Sequence, residues 1–95
     1  MAVKIIVKRK VSKEKESELL PLLLELRTKA MSQEGYITGE TLRRIDAPEE
    51  VLTIGTWQSA EAWEAWASSK ERAKIQDKVD ALLGEKTEYG VYYYG

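Results

Sequence analysis

Every tryptophan of this chain falls within the eleven residues Thr56-Trp57-Gln58-Ser59-Ala60-Glu61-Ala62-Trp63-Glu64-Ala65-Trp66. Trp57 closes an extended run, Val51-Leu52-Thr53-Ile54-Gly55-Thr56, and Ser59 can cap a helix that follows. Trp63 and Trp66, three residues apart, then share one face of that helix. So much indole in one short segment is either the main anchor of a core or the wall of a cavity that takes an aromatic ligand. Trp57 reads as structural, whereas Trp63 and Trp66 remain open between core packing and a ligand wall.

The residues that are missing narrow the chemistry further. Among 95 residues there is no cysteine and no histidine, which excludes disulfides and thiolate metal sites and removes the commonest metal ligand and the commonest general base. No metal is expected, and any reaction must rest on carboxylates, Lys, Arg, Tyr or Trp. The 15 basic and 16 acidic residues are intermixed, giving a net charge of −1 and no basic block able to neutralise a row of phosphates. Nucleic acid is therefore not an expected partner. Val3 to Val7 is too short, and interrupted by Lys4, for a secretory apolar region, and no run approaches membrane-spanning length. A cytoplasmic protein with no membrane partner is the expectation. A chain of this length forms a single domain, residues 1–95, that buries roughly 60 to 65 per cent of its unfolded surface, so self-association would relieve a shortage of core.

The elements that must position the tryptophans follow from periodicity. Val3, Ile5, Val7 and Val11 alternate with a side that is mostly lysine (Lys4, Lys8, Lys10), the pattern of a strand with one wetter face. From Ser12 to about Ser32, Leu19, Leu22, Leu23, Leu26 and Ala30 fall at helical spacing, with Leu20, Leu24 and Met31 widening the apolar face. Pro21 lies inside this helix and predicts a kink or separable first turns. Tyr36 to Ile45 reads as a second strand, Asp46-Ala47-Pro48-Glu49 as a turn, and Val51 to Trp57 as the third strand of a hairpin. A short helix follows Ser59. Ser68-Ser69-Lys70-Glu71 then has capping-box spacing ahead of a helix carrying Ile75, Val79, Leu82 and Leu83 and stopped by Gly84. Lys86 to Tyr94 is a last, tyrosine-rich strand.

The order β-α-β-β-α-β predicts an α+β fold, a four-stranded antiparallel sheet with its helices on one face. In the second and third strands apolar residues occur at both parities (Tyr36, Ile37, Leu42, Ile45; Val51, Leu52, Ile54, Trp57), which implies burial of both sheet faces. A homodimer with two sheets packed face to face, reached also by Tyr92-Tyr93-Tyr94, is the expected cover; a monomer with a solvated sheet face is the alternative.

With these elements in place, the Gly35-Tyr36 opening of the second strand, the Asp46-Ala47-Pro48 turn and the Trp57-Gln58-Ser59 junction followed by Trp63 and Trp66 resemble the antibiotic biosynthesis monooxygenase family. The resemblance covers nearly the whole chain. It implies a ferredoxin-like βαββαβ protomer, a dimeric α+β barrel, and a cavity between helices and sheet in each protomer. Some members oxidise quinols or anthrone-like polyketides with dioxygen and no cofactor; others bind and degrade haem, holding iron through a histidine ten residues after a tryptophan. Here Gln76 stands ten residues after Trp66, and the asparagine that haem-degrading members use on the first strand has no counterpart, because the chain contains none. Haem degradation by that route is not expected.

What the resemblance implies is a cofactor-independent monooxygenase for a small aromatic, with no cofactor required. In such an enzyme an electron-rich phenol loses its proton, passes an electron to dioxygen, and recombines with the reduced oxygen. The protein binds the ring, excludes water and stabilises the phenolate. Arg72 and Trp66 are the candidate catalytic residues, because Arg72 lies three residues before Ile75 and seven before Val79 on the apolar stripe of the last helix. Trp63, Tyr36 and Gln76 are the candidate substrate-binding residues. Arg72 has a competing reading, along the helix flank with its head in water or paired with Glu71 or Glu64. A dimeric small-ligand-binding module, or an inactive relative, is the alternative function.

Overall fold

A computed structural model describes residues 1–95 as β1 (Val3–Lys10), α1 (Lys13–Met31), β2 (Tyr36–Arg44), β3 (Ala47–Trp57), α2 (Ala60–Ala67), α3 (Lys70–Leu83) and β4 (Tyr89–Tyr93). The strands form one sheet in the order β2-β3-β1-β4, antiparallel at every junction. This is the expected four-stranded ferredoxin-like arrangement. No helix is long and apolar enough to cross a membrane.

The register explains which side chains face the helices. Val3 pairs with Trp57, Ile5 with Gly55, Val7 with Thr53 and Arg9 with Val51, so these residues share one face. Along β1, Val3, Ile5, Val7 and Arg9 are all buried, while Lys8 and Lys10 are exposed. Two apolar clusters form on this face. One joins Val3, Ile5, Val7, Ala30 and the three tryptophans; the other joins Val11, Leu19, Val51 and Val79. Arg9 sits on the strand between Val7 of the first and Val11 of the second. Each fully buried large side chain contributes about 1.5 to 3 kcal/mol of transfer free energy, so Trp57, Leu19 and Val79 anchor the two clusters.

Several boundaries differ from expectation, each for an identifiable reason. α1 runs without interruption through Pro21, which is exposed, so the carbonyl deprived of its partner is within reach of solvent. The β2–β3 turn is only Ile45-Asp46, because Arg44 already pairs with Ala47. Ala47 to Glu49 belong to β3 rather than to the turn. Pro48 has no N–H for the ladder, and the register slips between Arg43 and Arg44 to leave it unpaired with β2. The helix cap is Ser69, not Ser68: Ser69 Oγ accepts a hydrogen bond from Arg72 N at 3.1 Å, and Ser68 closes α2 instead. Finally, β4 begins at Tyr89 rather than near Lys86, because Thr87 is drawn aside to Asp80 by hydrogen bonds from its N–H (3.0 Å) and its hydroxyl (2.6 Å).

Two glycines sit where a side chain is excluded or strained. Gly84 ends α3 in the left-handed conformation, with φ 73°. Gly35, at φ +92°, leads into β2 so close to α2 that a Cβ would stand 2.4 Å from Ala62 Cβ. That close approach brings the Tyr36–Trp57 end of the hairpin against the tryptophan-bearing helix.

Candidate functional site

Between the sheet and α1 and α3 lies a partly open cavity of about 140 Å³. Tyr36, Trp63, Trp66, Arg72 and Gln76 all line it, so the fold brings together, from three separate elements, every candidate site residue of the sequence. Trp57, read as structural, also borders it while being almost wholly buried, and Ile5, Val7, Leu23 and Leu26 complete its apolar wall. Arg27 of α1 donates to Gly39 O of β2 at 2.7 Å, holding the helix and the edge strand together on the same side.

Local structure places these groups. Ser59 caps α2 by accepting from Ala62 N at 3.1 Å, which starts the helix so that Trp63 and Trp66 both point inward, 5% and 4% exposed. Tyr36 meets Trp57 edge-on at 5.5 Å, Trp57 meets Trp63 at 5.8 Å, and Trp63 meets Tyr89 at 5.1 Å. The result is a continuous row of T-shaped contacts from β2 to β4, each favourable beyond its buried area. Because the Ser69 cap fixes the backbone of Arg72, its side chain lies over that row: its guanidinium carbon is 5.4 Å from the Trp63 centroid and 5.6 Å from that of Tyr89. Nη1 also donates to Ala67 O at 3.3 Å. Arg72 therefore does not lie along the helix flank in water, and it pairs with neither Glu71 nor Glu64.

At the other end of the cavity Gln76 Nε2 donates to Asp80 Oδ1 at 2.9 Å and to Thr87 Oγ1 at 2.8 Å. A carboxylate can only accept, so this contact fixes the amide with its nitrogen toward Asp80. Burial alone pushes the Asp80 carboxyl up, but hydrogen bonds from Thr87 and Gln76 and the charge of Arg9 outweigh it and hold the carboxyl below its usual range. Asp80 is therefore an ionised anchor rather than a free base.

Arg9 is the buried charge of the lining that sequence reasoning missed. Burial lowers its guanidinium pKa to about 10, with the charge of Arg72 acting in the same direction and Asp80 opposing. Arg72 is lowered by burial as well, against the influence of Tyr89 and Asp80. The signal for Arg9 was present, since it occupies the same strand parity as Val3, Ile5, Val7 and Val11. A charge on an otherwise apolar parity is either paired or functional.

Three buried polar atoms of lining residues have no protein partner: Arg9 Nε, Trp63 Nε1 and Gln76 Oε1. Such atoms are expensive to leave unpaired, and their gathering on one cavity suits a polar aromatic ligand better than a purely apolar one. The one carboxylate residue of the lining, Glu40, is exposed and registers with Ile54 on the other side of the sheet. No three acidic side chains come together in a way that could hold a metal ion. The site can thus bind a ring, stabilise an oxyanion and hydrogen-bond a hydroxyl, without a resident base.

Residues 2–78 match the model of the family described as antibiotic biosynthesis monooxygenase. No curated protein matches the chain. Among solved structures, a conserved protein from Methanosarcina mazei superposes with a TM-score of 0.90 at 21% identity, over 100% of this chain and 94% of that one. SnoaB, a cofactor-independent oxygenase from Streptomyces nogalater, gives 0.85 at 16% identity over 99% of this chain and 93% of its own. Rv0793 from Mycobacterium tuberculosis gives 0.85 at 18% identity over 100% and 96%. At these identities the structural likeness is one of fold.

Proposed function

The chain belongs to the antibiotic biosynthesis monooxygenase family, and on that premise we propose that it is a cofactor-independent monooxygenase oxidising a small aromatic, a quinol or anthrone-like compound, with dioxygen. The observation that carries this reading is the single cavity in which Trp63, Trp66 and Tyr36 supply aromatic walls while Arg72 and Gln76 supply a cation and a hydrogen-bonding amide. A structural neighbour, SnoaB, is itself a cofactor-independent oxygenase.

In this reading a quinol enters as the hydroquinone and its phenolic proton leaves to solvent through the open side. Arg72 stabilises the phenolate, since a guanidinium aimed at a developing oxyanion in a water-poor site acts far more strongly than in water. The anion passes one electron to dioxygen, and the radical pair recombines to a ring hydroperoxide. Loss of water then leaves a hydroxyquinone, with one oxygen atom in the product and the other in water. Trp66 and Trp63 hold the ring plane during these steps, and Tyr36 and Gln76 orient its oxygens. An apolar cavity of about 150 Å³ holds one benzene ring. At about 140 Å³ this cavity matches a single-ring quinol, whereas a three-ring anthrone would extend beyond it through the open side.

The absence of a free base among the lining groups, with Asp80 tied to Thr87 and Gln76, favours the second reading, a small-ligand-binding module without catalysis. Dioxygen uptake separates the two. Chelator-treated protein should consume oxygen with single-ring quinols above their autoxidation, and Arg72→Ala and Trp66→Ala, checked for folding, should lose most of the excess. No uptake above autoxidation with any quinol leaves the binding module in its place.

A homodimer belongs to the same proposal. The sheet face turned away from the helices carries Ile6 opposite Ile54 and Leu52 opposite both Lys8 and Leu42. Leu42 is 47% exposed there, an apolar strip suited to a second copy of the same sheet.

A further inference from the structure

Arg9 is a costly residue to keep. It is 8% exposed, it takes part in none of the ion pairs of the protein, and its Nε has no partner. A buried charge is costly unless it is paired and hydrogen-bonded, and in the free protein Arg9 has neither an ion pair nor a side-chain hydrogen bond, only the longer-range attraction of Asp80. The nearby countercharge, Asp80, is already committed: its Oδ1 accepts from Gln76 Nε2, Thr87 N and Thr87 Oγ1. Arg72, the second guanidinium at the cavity, makes cation–π contacts and one bond to a carbonyl, with no carboxylate partner. The lining as a whole contains Arg9, Arg27 and Arg72 against Glu40 alone. That leaves it at +2 in a chain whose net charge is −1.

We propose that the cavity is built for an aromatic anion: a single-ring hydroxyaromatic carboxylate whose carboxylate accepts from Arg9 Nε and Trp63 Nε1 while a ring hydroxyl donates to Gln76 Oε1, which leaves Arg72 to the phenolate. Two unpaired donors, Arg9 Nε and Trp63 Nε1, and one unpaired acceptor, Gln76 Oε1, belong to side chains at least nine-tenths buried. A carboxylate accepts from the donors and a phenol gives to the acceptor, so such a molecule carries a complementary group for each of the three. Guanidinium groups suit carboxylates through charge and through their fork of donors. The aromatic row supplies the ring wall, and the volume matches about one ring. This inference rests on reading the cavity as a substrate site, and it narrows the substrate from a quinol to a quinol carboxylic acid. Arg9 becomes the residue that sets this specificity.

The test is isothermal titration of the full chain, under nitrogen and with chelator, with 2,5-dihydroxybenzoate, 2,5-dihydroxybenzamide and hydroquinone. The acid should bind at least about 10-fold more tightly than the isosteric amide, the range expected for one charge-assisted contact. In Arg9→Met, whose thermal melt reports on its folding, the acid-to-amide ratio should fall to near one; Arg9→Lys should recover part of it. Equal affinity for acid and amide in the wild type overturns the proposal without any variant, as does a preference that survives in Arg9→Met, or failure of the acid to bind. Its failure is distinct from that of the oxygenase reading. Chelator-resistant oxygen uptake with hydroquinone but no preference for the acid sinks only the anion proposal. Arg9-dependent binding of the acid without any oxygen uptake sinks only the oxygenase.

Discussion

The Arg72 guanidinium lies over the indole of Trp63, 5.4 Å from its centroid, and this contact joins α3 to α2 across the cavity. A cation over a desolvated indole contributes about 0.5 to 2 kcal/mol. In urea unfolding, Trp63→Leu and Arg72→Met should therefore show a coupling of that size in a double-mutant cycle, with Arg72→Met costing less when the indole is already gone. Additive effects would mean that Ala67 O and Tyr89, not Trp63, hold the arginine in place.

Asp80 links pH to stability. Its folded carboxyl titrates below the usual range, so the unfolded chain binds the proton first as the solution is acidified. The stabilisation is complete above the unfolded value, near 3.9, and is lost as pH falls through the lower folded value. Melting temperatures of the wild type should thus fall more steeply below about pH 4 than those of Asp80→Asn. At pH 7 the variant should be less stable by about 1 to 2 kcal/mol, because neutral hydrogen bonds replace charge-assisted ones to Thr87 and Gln76.

Gly35 separates two backbone effects. Gly35→Ala meets both a positive φ of 92° and Ala62 Cβ at 2.4 Å. It should lower stability by about 2 kcal/mol or more. Ala62→Gly in the same chain should recover the steric part and leave the cost of the left-handed backbone, about 1 kcal/mol. Full recovery in chemical denaturation would show that only the close approach matters.

The open sheet face predicts assembly. Placing a charge at its centre with Ile54→Asp should shift the protein from dimer to monomer in sedimentation or light scattering, since a face-to-face sheet interface cannot solvate a lone carboxylate. Wild-type protein that is monomeric at micromolar concentration removes the dimer from the proposal.

Local sequence determined a good deal of this protein. Alternation in β1, helical spacing of the leucines in α1, a serine before each of α2 and α3, and a glycine after α3 each act within a few residues, so they are readable without the fold. The three tryptophans and Arg72 were also legible as a cluster, because one short helix and the start of the next must stay close. Tertiary structure decided what depends on contacts distant in sequence. Thr87 was drawn out of β4 by Asp80, Pro48 was absorbed by a slip in register, and the Gln76 amide was tied to Thr87 beyond the end of its own helix. Above all, only pairing of β1 with β3 and the packing of α3 over them put Arg9 beside Arg72 at one cavity. A strand's parity shows that a charge is buried; whether another charge of the same sign shares its surroundings is set by which elements pack together.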